Sequence, residues 1–302
     1  MRQTGDGVRN PGSLSPMSSD PQPLEALADG VEGASLDPAP PGTQGEPRRW
    51  WGNHLGEFRW QAELGRLMVD PVFRGHGVPR GDGAPVVLIP GLFAGDGSLE
   101  VMANWLRRIG YDARGSGIVS NVDCSDRALD RLEHRVARIR GETGREVALI
   151  GHSRGGHFAK ALSHRHPDWI SASISMGAGL DTPFDVSVPL KGVLKVARGV
   201  FAHTSDRVER NGCFTEHCRC KFTNDFTAPV PDDVPFTAIY SKGDGVVWWE
   251  ACKADWATNI EVTGSHVGLA FNRKVYGAVA QTLARDTAVS RERTARERPL
   301  AA

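Results

Sequence analysis

The amino-acid sequence predicts an α/β protein with a mostly parallel central sheet and helices on both faces of that sheet. Short apolar runs of the kind found in buried strands, for example residues 85–90, alternate with longer amphipathic segments typical of helices. Such alternation favours parallel strands, because each helix carries the chain back to the edge where the previous strand began. With 302 residues, of which 40% are hydrophobic, the chain is long enough for one domain of larger than average size.

Each predicted element rests on a local pattern. The first helix takes its apolar positions from Phe58, Leu64, Leu67 and Met68, and Gly144 marks the end of a later one. In chain order the predictions are a helix at 57–69, a strand at 85–90, a helix at 99–109, a strand at 111–118, a helix at 128–143, a strand at 147–150, a helix at 155–165, a strand at 170–176, a strand at 236–240, a helix at 248–256, a strand at 260–263 and a helix at 272–285.

Composition sets the predicted boundaries of the domain. Residues 1–47 contain eight prolines, seven glycines and no aromatic residue, so we expect this N-terminal segment to be disordered. Residues 48–285 form the predicted domain, and the Arg-rich residues 286–302 are expected to be a solvated tail or helix extension.

An insert at about 180–233 interrupts the regular alternation between two predicted strands. A lid over a binding pocket is one interpretation, since the insert carries enough apolar side chains to cover an acyl group. An ordinary crossover helix with a loop is the alternative. The apolar residues in question are Val193, Leu194, Val196, Val200, Phe201 and Phe214.

The segment from Gly151 to Gly155 matches the pattern G-x-S-x-G and follows directly on a predicted strand. The glycines allow the strand and the next helix to approach closely, and the serine between them is forced onto a tight turn. Its hydroxyl would stand at the start of a helix, where free N–H groups favour negative charge. We therefore predict that Ser153 is a nucleophile.

A serine nucleophile requires a base, and the base requires an acid that orients it. His266 lies between glycines in the loop after strand 260–263, and Asp244 lies in the loop after strand 236–240. Parallel strands bring these loops to the same edge of the sheet as Ser153. Asp181, which follows the preceding strand, is the alternative acid.

An oxyanion formed at Ser153 would need two N–H donors, and losing one typically costs about 2.7–4 kcal/mol. One predicted donor is the backbone of Arg154, the residue after the nucleophile. The second is Leu92, in the glycine-rich loop after the first strand, with Phe93 in reserve. The Arg154 side chain is expected to pair either with a nearby carboxylate or with an acidic group on the substrate.

Charge and hydropathy exclude several classes of protein. The 36 basic and 36 acidic residues balance to zero net charge, which argues against nucleic-acid binding. No run approaches the roughly 20 apolar residues of a transmembrane helix. The N-terminus lacks the basic-then-apolar pattern of a secretory signal, so we expect a cytoplasmic protein.

Four of the five cysteines cluster in or just after the insert. Three interpretations remain open: a disulfide between Cys218 or Cys220 and Cys252, free or redox-responsive thiols, or a zinc site formed by Cys213 with these three. None of the three concerns the predicted nucleophile directly.

Taken together and in order, the motifs resemble those of the α/β-hydrolase superfamily, in particular actinobacterial proteins of its bacterial lipase- and esterase-like branch. The matching blocks are residues 86–96, 115–124, 151–156, 240–247 and 264–268, and the resemblance covers about 48–285. It implies a serine acyl hydrolase with a Ser–His–Asp triad and no metal or other cofactor. One departure is that the block predicted to bind the oxyanion starts with Pro-Gly where many lipases have His-Gly.

The predicted activity is therefore cleavage of small-molecule or lipid-like carboxylic esters through an acyl-enzyme intermediate at Ser153, Asp244 and His266. Transfer of the acyl group to another acceptor, or cleavage of a thioester, would use the same three residues. A catalytically silent binding module with this fold is the alternative from another class, because fold alone does not determine function.

Overall fold

A six-stranded, wholly parallel sheet forms the centre of the computed structural model, which describes residues 51–182, 186–204 and 220–297. All of these residues belong to one compact unit. The strand order is β2-β1-β3-β4-β5-β6. In the chain, the strands are β1 (Pro85–Ile89), β2 (Asp112–Gly115), β3 (Val147–His152), β4 (Ile170–Met176), β5 (Phe236–Ser241) and β6 (Thr258–Val262).

Seven α-helices are described around the sheet: α1 (Trp60–Val69), α2 (Glu100–Arg108), α3 (Ser125–Thr143), α4 (Arg154–Arg165), α5 (Val188–Thr204), α6 (Lys221–Thr227) and α7 (Arg273–Glu297). Short 3-10 helices occupy His54–Arg59, Pro71–Arg74, Asp96–Leu99, Pro167–Trp169, Trp249–Cys252 and Val267–Phe271.

The core has two layers, one on each face of the sheet, as the sequence predicts. Strand β1 supplies Val86 and Leu88 to one layer and Val87 and Ile89 to the other, because successive side chains point to opposite faces. The first layer packs against α1, α2 and α7, and the second against α3, α4 and α6. A strand covered on both faces has no solvated side, which explains the continuous apolar run.

The carboxyl ends of β1, β3, β4, β5 and β6 all lie at one edge of the sheet because the strands are parallel. The loops that leave this edge contain Leu92, Ser153, Asp181, Asp244 and His266. The topology therefore collects the predicted site residues at a single edge.

Several predicted boundaries are wrong. The first helix begins at Trp60, because residues 54–59 form a tighter 3-10 helix capped by the Asn53 side chain. The predicted helix at 248–256 is only the 3-10 turn Trp249–Cys252, since Trp248 and Lys253 on either side of it are both extended. The last helix continues well beyond 285, to Glu297.

The insert contains α5 and α6. The α6 side chains Phe222 and Phe226 are buried in the core, whereas Val193 and Val196 of α5 are 51% and 68% exposed. The predicted disorder at 1–47, the side chains of Val200, Phe201 and Phe214, the thiols of Cys213 and Cys218 and the last five residues of the tail lie outside the described residues.

Cys124 is buried, the Cys220 Sγ lies 3.6 Å from the hydroxyl of Thr223, and the Cys252 Sγ donates to the Trp248 carbonyl at 3.7 Å. Within the described part of the chain, no helix combines the length and the apolar character needed to cross a membrane.

Candidate active site

Ser153 occupies a strained turn between β3 and α4. Its φ of 52° is positive, a conformation that costs a non-glycine residue on the order of 1–3 kcal/mol. The glycines beside it allow this turn: a Cβ on Gly155 would lie 2.1 Å from the Ile89 carbonyl oxygen, and one on Gly151 would lie 2.3 Å from Gly155. The serine itself is only half-buried and stands at the N-terminus of a helix of 12 residues.

Asp244 and His266 form a buried pair. The imidazole Nδ1 lies 2.7 Å from Oδ2 of the carboxylate, and the side chains are only 1% and 6% exposed for Asp244 and His266. The other carboxylate oxygen accepts hydrogen bonds of 2.8 Å from the N–H groups of Val246 and Val247. A buried carboxylate needs such partners, and these hold it in one orientation toward the imidazole.

The end of β4 joins this pair to the serine. The Ser153 N–H donates to the Met176 carbonyl at 2.8 Å. The next residue, Gly177, has a φ of +61°, and a Cβ built there would lie 3.1 Å from both the Asp244 Oδ2 and the His266 Nδ1. Ser153 therefore lies beside Met176, and the Asp244–His266 pair lies beside the next residue, Gly177, so the end of β4 borders all three side chains.

His152 contacts the predicted base from the other side. Its ring centroid lies 4.9 Å from that of His266, and its Nε2 lies 2.9 Å from the His266 carbonyl oxygen. Burial and the neighbouring His266 lower the pKa of His152 to about 4, so its imidazole is neutral. A neutral imidazole facing a carbonyl through Nε2 must carry its proton there, and His152 therefore donates to the His266 backbone.

His266 has a different electrostatic environment. Burial alone disfavours its charged form, but the charge and hydrogen bond of Asp244, together with the charge of Glu57, raise the pKa of His266 above its ordinary value. The pair thus favours an imidazolium, which is the form that a base takes after accepting a proton.

Asp181, the alternative acid, has a different neighbourhood. It is exposed, and its charge acts on the buried Lys160, whose ammonium donates to the Leu180 carbonyl at 2.6 Å. Of the two candidate acids, only Asp244 is hydrogen-bonded to His266 in the described structure.

The loop after β1 lies against the elbow. A Cβ on Gly91 would lie 3.2 Å from the Ser153 Cβ, so this loop approaches the serine as closely as a glycine allows. Phe93 has a φ of 61° and donates its N–H to the Asn121 carbonyl at 3.4 Å. The Phe93 N–H, the reserve oxyanion donor, is therefore already hydrogen-bonded. The N–H of Leu92 stays the predicted second donor.

The Arg154 guanidinium is directed away from the serine, into the loop before α3. It donates to the backbone oxygens of Asn121 and Asp123 at 2.9 and 2.8 Å, to the Asn121 side chain at 2.8 Å and to the Ser125 hydroxyl at 3.1 Å. It also covers the Phe158 ring at 5.0 Å. These four hydrogen bonds go to neutral oxygens of the loop before α3 and of the first residue of α3.

Asn121 completes this connection. It is 1% exposed, its amide donates to the Pro90 carbonyl at 2.8 Å, and its N–H donates to the Ala94 carbonyl at 2.9 Å. Asn121 therefore links the loop after β1 to the Arg154 side chain at the start of α4. The sequence offered no signal for this role, since one asparagine in a polar loop is unremarkable by itself.

Two glutamates before the first strand also reach this edge. Glu57 accepts from the backbone of Gly245 and His266, and Glu63 accepts from both the N–H and the hydroxyl of Ser265. Sequence reasoning missed both. The one available signal was that Glu63 falls on the same helical face as Leu67, four residues later, which is an unusual position for a carboxylate.

The chain is similar to known lipases in sequence and in structure. The chain is 27% identical over 227 residues to a triacylglycerol lipase of Vibrio cholerae serotype O1, a match that spans 65% of this chain and 72% of that protein. It is similar in structure to the mature Bacillus licheniformis lipase BlEst2, with a TM-score of 0.50, 16% identity and coverage of 68% and 94% of the two chains.

A soluble variant of the Saccharomyces cerevisiae monoglyceride lipase is similar with a TM-score of 0.48 and 14% identity over 71% of this chain and 90% of that one. No family model matches the sequence. The parallel sheet and the likeness to the Bacillus lipase together identify the fold as the α/β-hydrolase fold, as the sequence predicts.

Proposed function

We propose that this protein is a serine hydrolase that cleaves carboxylic esters, with Ser153 as the nucleophile, His266 as the base and Asp244 as the residue that orients the base. The observation that carries this proposal is the buried 2.7 Å contact between Asp244 and His266 beside the strained turn of Ser153. The choice of a carboxylic ester as the substrate is supported by the similarity of the chain to a triacylglycerol lipase.

In this mechanism the Ser153 Oγ attacks the ester carbonyl carbon and gives its proton to the His266 Nε2, since Nδ1 is occupied by Asp244. The resulting imidazolium returns the proton to the alkoxide as the bond to the leaving alcohol breaks. Water then repeats the sequence on the acyl-enzyme, and the acid is released.

The developing oxyanion is stabilised by the backbone N–H groups of Leu92 and Arg154. Arg154 is the first residue of α4, so its N–H has no partner inside the helix and adds the favourable end of the helix dipole. The contact between Gly91 and Ser153 brings the Leu92 loop close to the same place.

The first test is hydrolysis of p-nitrophenyl esters of two, four, eight and sixteen carbons by the wild type and by Ser153→Ala. We expect kcat to fall by at least about 10⁴-fold in the variant, because the nucleophile is lost while the fold is kept. A fluorophosphonate probe should label the wild type and leave the variant unlabelled.

Ser120→Ala is the matched control, since Ser120 is an exposed serine in the neighbouring loop. It should keep both turnover and labelling. A wild-type protein that neither turns over any ester nor reacts with the probe would contradict the proposal and favour the silent binding module. Labelling without hydrolysis would redirect the search to thioesters or to other acyl acceptors.

A further inference from the structure

Three backbone N–H groups from two different loops converge on one carboxylate, that of Glu57. Oε1 accepts from Gly245 at 2.8 Å and from His266 at 3.0 Å, and Oε2 accepts from Val267 at 2.9 Å. Glu57 belongs to the 3-10 helix His54–Arg59, which precedes the first strand and lies about 190 to 210 residues away from its partners in the chain.

The partners of Glu57 are the residues that position the proposed acid and base. Gly245 directly follows Asp244, and His266 is itself the proposed base. One side chain thus holds the two loops whose spacing determines the 2.7 Å contact between Asp244 and His266.

A carboxylate suits this role better than any other side chain. It accepts through both oxygens and donates nothing when ionised, and its hydrogen bonds are about twice as strong as those between neutral groups. Glutamine has the same shape, but its amide would turn an N–H group toward at least one of the three N–H donors.

The segment before Glu57 packs closely against the acid loop. A Cβ on Gly245 would lie 2.5 Å from the Asn53 carbonyl oxygen and 2.9 Å from the Glu57 Oε1. A Cβ on Gly52 would lie 2.0 Å from the Gly245 carbonyl oxygen. Backbone approaches of this kind require glycine, so the segment just before Glu57 is in direct contact with the acid loop.

The charge of Glu57 also reaches the base. Among the described residues, three titratable side chains from other parts of the chain contact His266. A fourth side chain contacts Ser265, the residue before it. They are Asp244, Glu57, His152 and, through Ser265, Glu63. His152 is neutral, so the acidic groups dominate and favour the imidazolium.

We propose that Glu57 is a positioning residue for the proposed reaction: it holds the Asp244 and His266 loops together and stabilises the imidazolium through its negative charge. The inference rests on the proposed function. It assigns a catalytic contribution to a segment that precedes the first strand and contains none of the predicted site residues.

The test compares the pH profiles of ester hydrolysis for the wild type, Glu57→Gln and Glu57→Asp. In Glu57→Gln we expect kcat to fall by about 10- to 100-fold with little change in KM, because the base is misplaced relative to the serine. The acid limb of the kcat/KM profile should also move to lower pH, because loss of the negative charge makes the imidazole easier to deprotonate.

Glu57→Asp separates the two contributions. It keeps the charge but is one methylene too short to reach both loops, so kcat should fall while the acid limb stays near that of the wild type. Glu100→Gln, a change at an exposed glutamate on α2, is the matched control and should alter neither quantity.

The outcomes are distinguishable. A wild type that is inactive and unlabelled at Ser153 contradicts the proposed function itself. An active wild type with unchanged kcat and pH profile in Glu57→Gln overturns the role of Glu57 alone. Should Glu57→Gln prove insoluble, Glu57→Asp decides the matter, and wild-type kcat in that variant overturns the positioning role.

Discussion

At the scale of single residues, His266 is held by three segments that are remote from one another in the chain. Asp244 contacts its ring, Glu57 accepts from its N–H group, and His152 donates to its carbonyl. A histidine restrained at its ring and at both backbone polar groups has little freedom to leave its position. Such restraint is what a general base needs, because proton transfer depends on a hydrogen-bond distance to the nucleophile.

Asp244→Asn tests the residue that we place behind the base. The amide would donate where the carboxylate accepts, which favours the wrong tautomer of His266, and kcat/KM at pH 7 should fall by about 10⁴-fold. Because Asp244 raises the pKa of His266, the acid limb of the wild-type profile should have its midpoint above about 6.5 and should move to lower pH in the variant. Rates of p-nitrophenyl ester hydrolysis measured over a range of pH give both kcat/KM and the midpoint of the acid limb.

Asp181→Asn is the matched control, since Asp181 is the other acid that follows a neighbouring strand. It should leave the rate and the acid limb unchanged. The reverse pattern, with Asp181→Asn inactive and Asp244→Asn active, would transfer the orienting role to Asp181.

Sequence predicted the location of Ser153, Asp244 and His266 because each follows a strand, and parallel topology alone brings such positions together. It could not predict Glu57 or Asn121. Their roles depend on contacts with segments about 30 to 210 residues away in the chain, and no local pattern encodes which backbone N–H group a side chain will reach.

At the scale of elements, the site depends on how α4 is tied to its neighbouring loops. The Arg154 side chain, at the first position of α4, holds the loop before α3, and Asn121 of that loop holds the Pro90 carbonyl. Arg154 can therefore serve twice, through its N–H group as an oxyanion donor and through its side chain as an anchor for the loop that carries Leu92.

Arg154→Met separates these two roles, since it keeps the backbone N–H and removes the guanidinium. The four described hydrogen bonds are lost, and the Asp123 carbonyl oxygen and the Asn121 side-chain oxygen lose the Arg154 donor, so the free energy of unfolding should fall by about 2–4 kcal/mol. We expect kcat to fall by about 10- to 100-fold as the Leu92 loop relaxes. Urea unfolding and ester hydrolysis measure the two effects.

Arg131→Met provides the comparison, because Arg131 pairs with the Asp123 side chain at the surface with 56% of its own side chain exposed. An exposed ion pair contributes about 0–1 kcal/mol, so this variant should be nearly unchanged. Equal destabilisation of the two variants would show that the buried contacts of Arg154 have no special role.

The sequence predicted an element well where it is buried on both faces. Strand β4 is an example, since its bounds Ile170–Met176 agree with the prediction. Elements were predicted poorly where tertiary contacts override local pattern. In the first helix, periodicity assigned Phe58 and Met68 to the buried face, yet they are 71% and 51% exposed and Glu63 is buried there. A glutamate is buried at this position only because Ser265 supplies two donors.

At the scale of the whole molecule, α4 connects the sheet with the layer formed by α3 and α6. Ten of its residues are buried, Lys160 among them at 5% exposure, and the Lys160 ammonium lies 4.6 Å from the centre of the Phe226 ring and 5.4 Å from that of Trp256. Burial lowers the pKa of Lys160 to about 8, against a smaller opposing effect of Asp181. The helix that carries the proposed nucleophile at its start thus also carries an unfavourably buried charge.

This burial predicts how stability changes with pH. Between about pH 8 and 10.5 the unfolded chain keeps its proton on Lys160 while the folded chain has lost it, so the free energy of unfolding contributed by this residue rises with pH. Urea unfolding at several pH values should therefore show the wild type gaining about 2 kcal/mol relative to Lys160→Met across that range. The comparison is made as a difference because buried tyrosines such as Tyr111, whose pKa is raised by burial, act equally in both proteins. Lys274→Met, a change at an exposed lysine of α7, should give a curve parallel to that of the wild type. Parallel curves for Lys160→Met and the wild type would instead mean that the folded protein keeps the ammonium protonated, held by the Leu180 carbonyl and the two aromatic rings.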